Sequence, residues 1–386
     1  MSHLFDASKQ WATRPADERF WSLAEMNQVC AAYRQSAAEA TVRMNDLHIT
    51  PQSDDLHLVG NERSAKLTHW SFGQLCNRVG APAGYLRTLT PILASNALSY
   101  GLKRLGTDGA ECKALFHANG SLVCRAFTSD AYARIWNCDV TKRLLDLGDT
   151  GWRVPPARPA RDNQSGSRPA TEADVLSRGK DFWGTVKVGD MIAPAGLYAN
   201  DHDMFAFLVN ENVVIDDGSP GGLARGFFVS NSEVGAAAFK ITRFLYRNVC
   251  GNHIVWDAKD VQELRIVHTG ANDRRFGWKL QAELRQYAAE SQAGDVARIE
   301  SAKRCVLGAT KDEVLDSLFG KKVLPRKTLD LAYDRAIEQE ATTRSGSPHT
   351  AWGFAQGVTE LSQETPYADE RVSLDRAAGK VLSIAF

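Results

Sequence analysis

One stretch constrains the fold more than any other: Arg225–Trp256, RGFFVSNSEVGAAAFKITRFLYRNVCGNHIVW, in which every element boundary carries a signal. Phe227, Phe228 and Val229 suit a short buried strand. Ser230 and Glu233 follow as S-x-x-E, the spacing at which two side chains cap each other's backbone N–H at a helix start. Val234, Ala238, Ile241, Leu245 and Val249 then recur on one face at a period of 3.6 residues. Gly251 stands where a left-handed C-cap belongs, and His253–Trp256 resumes as strand. The expectation is strand, capped helix over about Asn231–Val249, and strand, with Ile241 in the core. Turned at about 100° per residue, Lys240, Arg243 and Arg247 share the opposite face. Such a basic stripe either lies in solvent or meets an anion.

The rest of the chain arranges itself around this unit. Residues 1–50 form a helical segment with Trp11, Phe20 and Trp21 as docking aromatics. Leu56, Leu58 and Leu67 mark short strands, and a helix runs from Ser71 through Val79 to a stop at Gly80. Pro82 opens a short helix containing Tyr85, and Pro91–Leu105 is the next. Glu111–His117 and Ser121–Phe127 flank Ala118-Asn119-Gly120 as a β-hairpin. Ser129-Asp130 caps a helix through Ile135, and another runs from Asn137 to Leu145. The segment 155–172, PPARPARDNQSGSRPATE, has too little apolar surface to offset its ordering entropy and is expected to be a mobile loop. Phe182–Val188, Met191–Tyr198, Met204–Val209 and Val213–Ile215 read as a meander, with the strand Leu264–His268 after the central unit. From residue 271 to 386 the pattern is helical. The fold class is α+β: a mainly antiparallel sheet with a central capped helix over 51–270, closed by a helical C-terminal region.

Composition limits what such a chain can do. Lys plus Arg and Asp plus Glu both total 46 in 386 residues, so any anion-binding surface is local. Residues 61–184 hold the one clear basic excess, 17 against 11. The seven Cys include no C-x-x-C, which suits reduced, buried thiols in a cytoplasmic protein. There is no apolar run long enough for a membrane span, and no membrane partner is expected.

Five motifs recur here together: Ser129-Asp130-Ala-Tyr132-Ala-Arg134-Ile135, Ser230-Asn231-Ser232-Glu233-Val234-Gly235, Asn248-Val249-Cys250-Gly251-Asn252, Arg265-Ile-Val-His268-Thr269-Gly270 and Thr350-Ala351-Trp352. In that order they resemble the phage/plasmid-like proteins of the domain of unknown function 932 family, over roughly Leu67 to Glu364. The resemblance implies a cytoplasmic protein of phages, prophages or plasmids, and it supplies no catalytic residues.

Chemistry-bearing clusters are sparse. Asp201, Asp203, Asp216 and Asp217, with Glu211, are the one acidic set that could hold a divalent ion for a nuclease, but both Asp pairs fall at turns, where Asp is common for local hydrogen bonding. His253, His268 and His349 pair with no nucleophile in a recognisable order, and no phosphate-binding loop is present. No catalytic residue, metal ligand or cofactor is assigned. What is left is binding. Arg225, Lys240, Arg243, Arg247, Arg265, Arg274 and Arg275 lie on or beside the central unit, with Trp278 among them. Cations interleaved with aromatic rings suit a single strand of nucleic acid, whose phosphates take the charge while its bases stack. The expected function is non-enzymatic binding of nucleic acid, single-stranded DNA first, in replication, recombination or establishment of a mobile element. The alternative is a module that binds a host protein and modulates a defence system, and a metal-dependent nuclease comes third. A homo-oligomer is compatible with either binding reading.

Overall fold

A computed structural model describes residues 18–60, 63–105, 111–160, 166–177, 186–194, 196–200, 202–218, 222–247, 253–254, 264–266, 268, 270–343, 346–364 and 368–385. Trp11, Asp201, Gly251 and Trp256, and residues 182–185 of the first expected meander strand, lie outside them.

The chain opens with α1 (Leu23–Gln35), β1 (Ala37–Arg43), β2 (His48–Gln52), β3 (Asp55–Gly60) and β4 (Arg63–Leu67). Next come α2 (His69–Val79), α3 (Ala83–Leu86) and α4 (Pro91–Lys103), then the hairpin β5 (Glu111–Asn119) and β6 (Ser121–Thr128). These strands make a six-stranded sheet in the order β1-β5-β6-β4-β3-β2, antiparallel except where β4 meets β6. The expected stop at Gly80 is present, with φ at 70°. The cap at the other end of α2 sits earlier than Ser71, on Thr68, whose side chain and that of Ser71 bond each other's backbone N–H. Leu75 of α2 and Leu98 and Leu102 of α4 pack with Leu58, Cys112 and Cys124 of the sheet.

After the first sheet come α5 (Asn137–Leu145), β7 (Arg158–Pro159), β8 (Arg168–Pro169), α6 (Glu172–Ser177) and β9 (Met191–Ala193). Two short strands, β7 and β8, fall within the segment 155–172. β7 and β8 both pair with β9, and Arg168 holds Asp174 through two nitrogens at 2.6 and 2.8 Å while lying 4.1 Å over the Trp21 ring. Those bonds hold the Asp174 carboxyl below the usual carboxylate range. Few apolar residues are needed when a charged fork and two backbone ladders supply the order.

The second sheet is built from β10 (Leu197–Ala199), β11 (Met204–Ile215), β12 (Leu223–Asn231), β13 (Phe239–Arg247), β14 (His253–Ile254) and β15 (Leu264–Ile266). Its order is β10-β11-β12-β13-β14, with β15 on the other half of the β13 edge. The central helix expected over Asn231–Val249 is therefore absent, and β12 and β13 form an antiparallel pair from Leu223↔Arg247 to Ser230↔Lys240. Two physical reasons override the helical period. FKITRFLYR is rich in aromatic and β-branched residues, whose side chains fit a pleated surface. The expected cap residues are engaged elsewhere: Ser230 pairs with Lys240 inside the sheet, and Glu233 accepts the Asn137 N–H and the Arg125 guanidinium, while the Val234 carbonyl accepts from Trp70 Nε1 and Gln74 Nε2, both at 3.0 Å. Gly235 turns the chain at φ 80°. The pairing also needs Gly226, because a Cβ there would lie 2.1 Å from the ring of the opposing Phe244. Ile241 is nonetheless fully buried, since both periods put it in the core.

The helical region is α7 (Gly270–Ala289), α8 (Ala293–Arg304), α9 (Lys311–Gly320), α10 (Arg326–Thr343), α11 (Ala351–Glu364) and α12 (Ala368–Leu382). Phe276, Leu280, Leu284 and Tyr287 of α7 pack with Phe227, Val229, Phe239 and Ile241 of the second sheet and with Met26 of α1 and Leu144 of α5. The last helices gather around the fully buried Trp352 and meet the sheet at Ile215, Leu223 and Leu245. The α+β class holds, with the helical region following the sheets. Among the described residues no helix is long and apolar enough to cross a membrane.

Candidate functional site

Strand geometry redistributes the basic stripe. Alternation puts Arg243 on one face of β13 and Lys240 on the other. Arg243 is directed into the core, where its guanidinium donates to the carboxylates of Glu283 on α7 and, at 3.0 Å, of Glu290 just beyond that helix, and lies 4.5 Å over the Tyr287 ring. Arg225 is buried beside it. It donates to the Tyr287, Glu290 and Ser291 carbonyls at 2.9, 2.7 and 3.1 Å and to Asp295 at 2.9 Å. Tyr287 is in the last turn of α7 and Glu290 and Ser291 follow it directly, so Arg225 reaches across from the sheet to cap the end of the helix. Tyr287 lies against both guanidiniums and donates its hydroxyl to the Phe244 carbonyl at 3.0 Å, and burial pushes that hydroxyl's pKa up. Arg225 and Arg243 thus fasten α7 to the sheet. Phosphate cannot reach them without displacing carboxylates. Lys240 is half-buried, and the side chains of Arg247, Arg265, Arg274 and Arg275 lie outside the described residues.

Trp278 behaves differently. It is 74% exposed on α7, and it stands at the edge of a cleft of about 550 Å³ between α5 and α7. Lys142 and Arg143 of α5 line the opposite wall with Asp139, while Phe276, Gly277 and Gln281 complete the α7 side. Gly277 shapes the cleft directly, since a Cβ there would come within 2.8 Å of Arg143 Nε. The guanidinium can therefore lie against the helix backbone. The charge of Asp139 is partly met by Arg34, 2.7 Å away. Arg274 and Arg275 occupy the α7 turn preceding Trp278.

The start of α5 is set by a buried polar junction between the two sheets. Glu233 accepts the Asn137 N–H at 2.7 Å and the Arg125 guanidinium at 3.2 Å, with both charged side chains 2% exposed. Asn231 Nδ2 donates to the Ile135 carbonyl and to Asn137 Oδ1, each at 2.8 Å. Tyr132 donates to the Ser232 carbonyl at 3.0 Å and stacks on His268, 4.9 Å between centroids. The expected helix Ser129–Ile135 gives way to this junction. A turn closes from the Tyr132 N–H to the Ser129 carbonyl, and beyond it Ala133 N–H goes to the His268 carbonyl and Ile135 N–H to His268 Nδ1, so no helix forms before α5. Three of the five recurring motifs thus meet in space.

The model of the family described as Domain of unknown function (DUF932) matches residues 170–377, more than half of the chain. The chain belongs to the DUF932 family. No curated protein and no solved structure matches it. The match begins later than the motif at Ser129 and ends beyond Glu364, so in this DUF932 protein the first sheet and α5 precede the matched segment while α7 lies inside it. The cleft therefore has one wall from each part.

The chain order conceals Lys142 and Arg143, which sit more than 130 residues from Trp278, and the basic excess over 61–184 is the one signal that points to them. Asp203 and Asp217 are buried, and Asp216 accepts the Gly218 N–H in a local turn. Among the described residues no three His, Cys, Asp or Glu form a group that could hold a metal.

Burial, and then the charge of Arg134, lowers the pKa of His268 to about 4. Its folded value lies below its unfolded value, so between about pH 6.5 and 4 the unfolded chain takes up a proton that the folded chain refuses. This contribution is complete above about pH 6.5 and is lost as pH falls through that window. Urea titrations across it should show a shallower loss of stability for His268→Gln than for the wild type.

Proposed function

We propose that this protein is a non-enzymatic, cytoplasmic nucleic-acid-binding protein of a mobile element, engaging single-stranded DNA through the cleft between α5 and α7. The observation that carries the reading is Trp278, an exposed indole that lines the same cleft of about 550 Å³ as Lys142 and Arg143. An indole this exposed forgoes burial of its large apolar surface, and a stacking base would restore it. Lysine supplies a point charge and arginine a two-pronged donor for phosphate. The mobile-element setting rests on the motif resemblance.

The test is fluorescence anisotropy of a labelled oligothymidylate at low salt. Trp278→Ala is expected to weaken binding about tenfold or more, the loss of one base stack worth about 1–3 kcal/mol. A wild-type protein without measurable affinity for single-stranded DNA, duplex DNA or RNA would end this reading. The alternative, docking of a host protein, is favoured by a separate feature. Tyr85 of α3 and Ile92, Leu93 and Tyr100 of α4 are each more than half exposed. Substituting Leu93 and Tyr100 by Ser should leave oligonucleotide binding unchanged.

A further inference from the structure

Tyr132, Arg134 and Trp136 alternate along the segment before α5. The Arg134 guanidinium lies between their rings, 5.3 Å from the Tyr132 centroid and 5.6 Å from that of Trp136. Its side chain is 1% exposed, and Nε donates to Glu39 at 2.8 Å. Nη1 and Nη2 carry the other four of its donors and meet no acceptor among the described residues. His268 adds a further donor. Its Nδ1 accepts the Ile135 N–H at 3.3 Å, so the neutral ring carries its proton on Nε2, and that N–H also meets no acceptor among the described residues. The stack of Tyr132 on His268 at 4.9 Å places the imidazole and Arg134 about the same ring.

Unmet buried donors are costly, and every one of these calls for an acceptor. A guanidinium clamped between rings has already lost its rotamer freedom, so its fork is set for two parallel bonds to an oxyanion. We infer that Arg134 and His268 form a binding site for a small free oxyanion of the phosphate type, separate from the α5–α7 cleft. Tyr132 and Trp136 are half-buried, so the walls of the site reach the surface, and Glu39 is the carboxylate that competes with the ligand for Arg134.

Isothermal titration of the full-length protein with inorganic phosphate, at ionic strength held constant with sodium chloride, tests this. Saturable binding is expected in the wild type. Arg134→Lys keeps a cation for Glu39 but loses the fork, and should weaken binding at least tenfold. Glu39→Gln should tighten it. Trp278→Ala should leave it unchanged, and an oligothymidylate should not displace phosphate. Should Arg134→Lys fail to fold, His268→Gln replaces it, with a weaker but measurable loss expected. Absence of saturable binding, equal affinity in the Arg134 or His268 variant, or loss in Trp278→Ala would overturn the proposal. The last result would leave the cleft reading standing.

Discussion

Glu233→Ala is expected to lower the unfolding free energy by about 3–5 kcal/mol, the range for removing one member of a buried ion pair. Glu233 and Arg125 are both withdrawn from solvent and lie 3.2 Å apart. Alanine leaves the Arg125 charge buried without its carboxylate and deprives the Asn137 N–H, at the start of α5, of its 2.7 Å acceptor. The midpoint of urea denaturation reports the loss. Arg125→Met combined with Glu233→Gln should be far milder than Glu233→Ala, because it removes both charges while the amide oxygen still caps Asn137. A loss below about 1 kcal/mol in Glu233→Ala would mean that the pair is solvated, as surface pairs are.

Arg243→Ala is the second large effect, at about 2–3 kcal/mol once the partial exposure of Glu290 is allowed for. It strips Glu283 and Glu290 of their shared cation and Tyr287 of the guanidinium above its ring, loosening α7 from the second sheet. Thermal melting should show the loss, while oligonucleotide affinity measured well below the lowered Tm should change little. A phosphate-contacting residue on a solvated face would do the reverse, with unchanged melting and weakened binding.

Arg243 also marks where sequence reasoning succeeds and where it fails. The turn at Gly80, the β5–β6 hairpin, α5 and the helices from α7 onward are all legible, because each is specified by a local signal: a left-handed cap, an Asn-Gly turn, a sustained apolar period. The central unit misleads because Ile241 and Leu245 are inward at a spacing of four residues, which a strand and a helix both satisfy. The decisive facts lie elsewhere in the chain. Arg125 draws away Glu233, while Trp70 and Gln74 take the Val234 carbonyl. Of the candidate site, Trp278 is legible as an aromatic among cations. Lys142 and Arg143 are not, since only folding brings α5 beside α7.

The salt dependence of oligothymidylate binding reports whether the α5–α7 cleft carries phosphate. For single strands each neutralised phosphate contributes about 0.7 to the slope of log affinity against log salt. Lys142→Ala with Arg143→Ala should weaken binding and flatten that slope by about 1.4, the share of two phosphates, without lowering Tm. An unchanged slope and affinity in this double variant would contradict the account, because the cleft would then carry no phosphate.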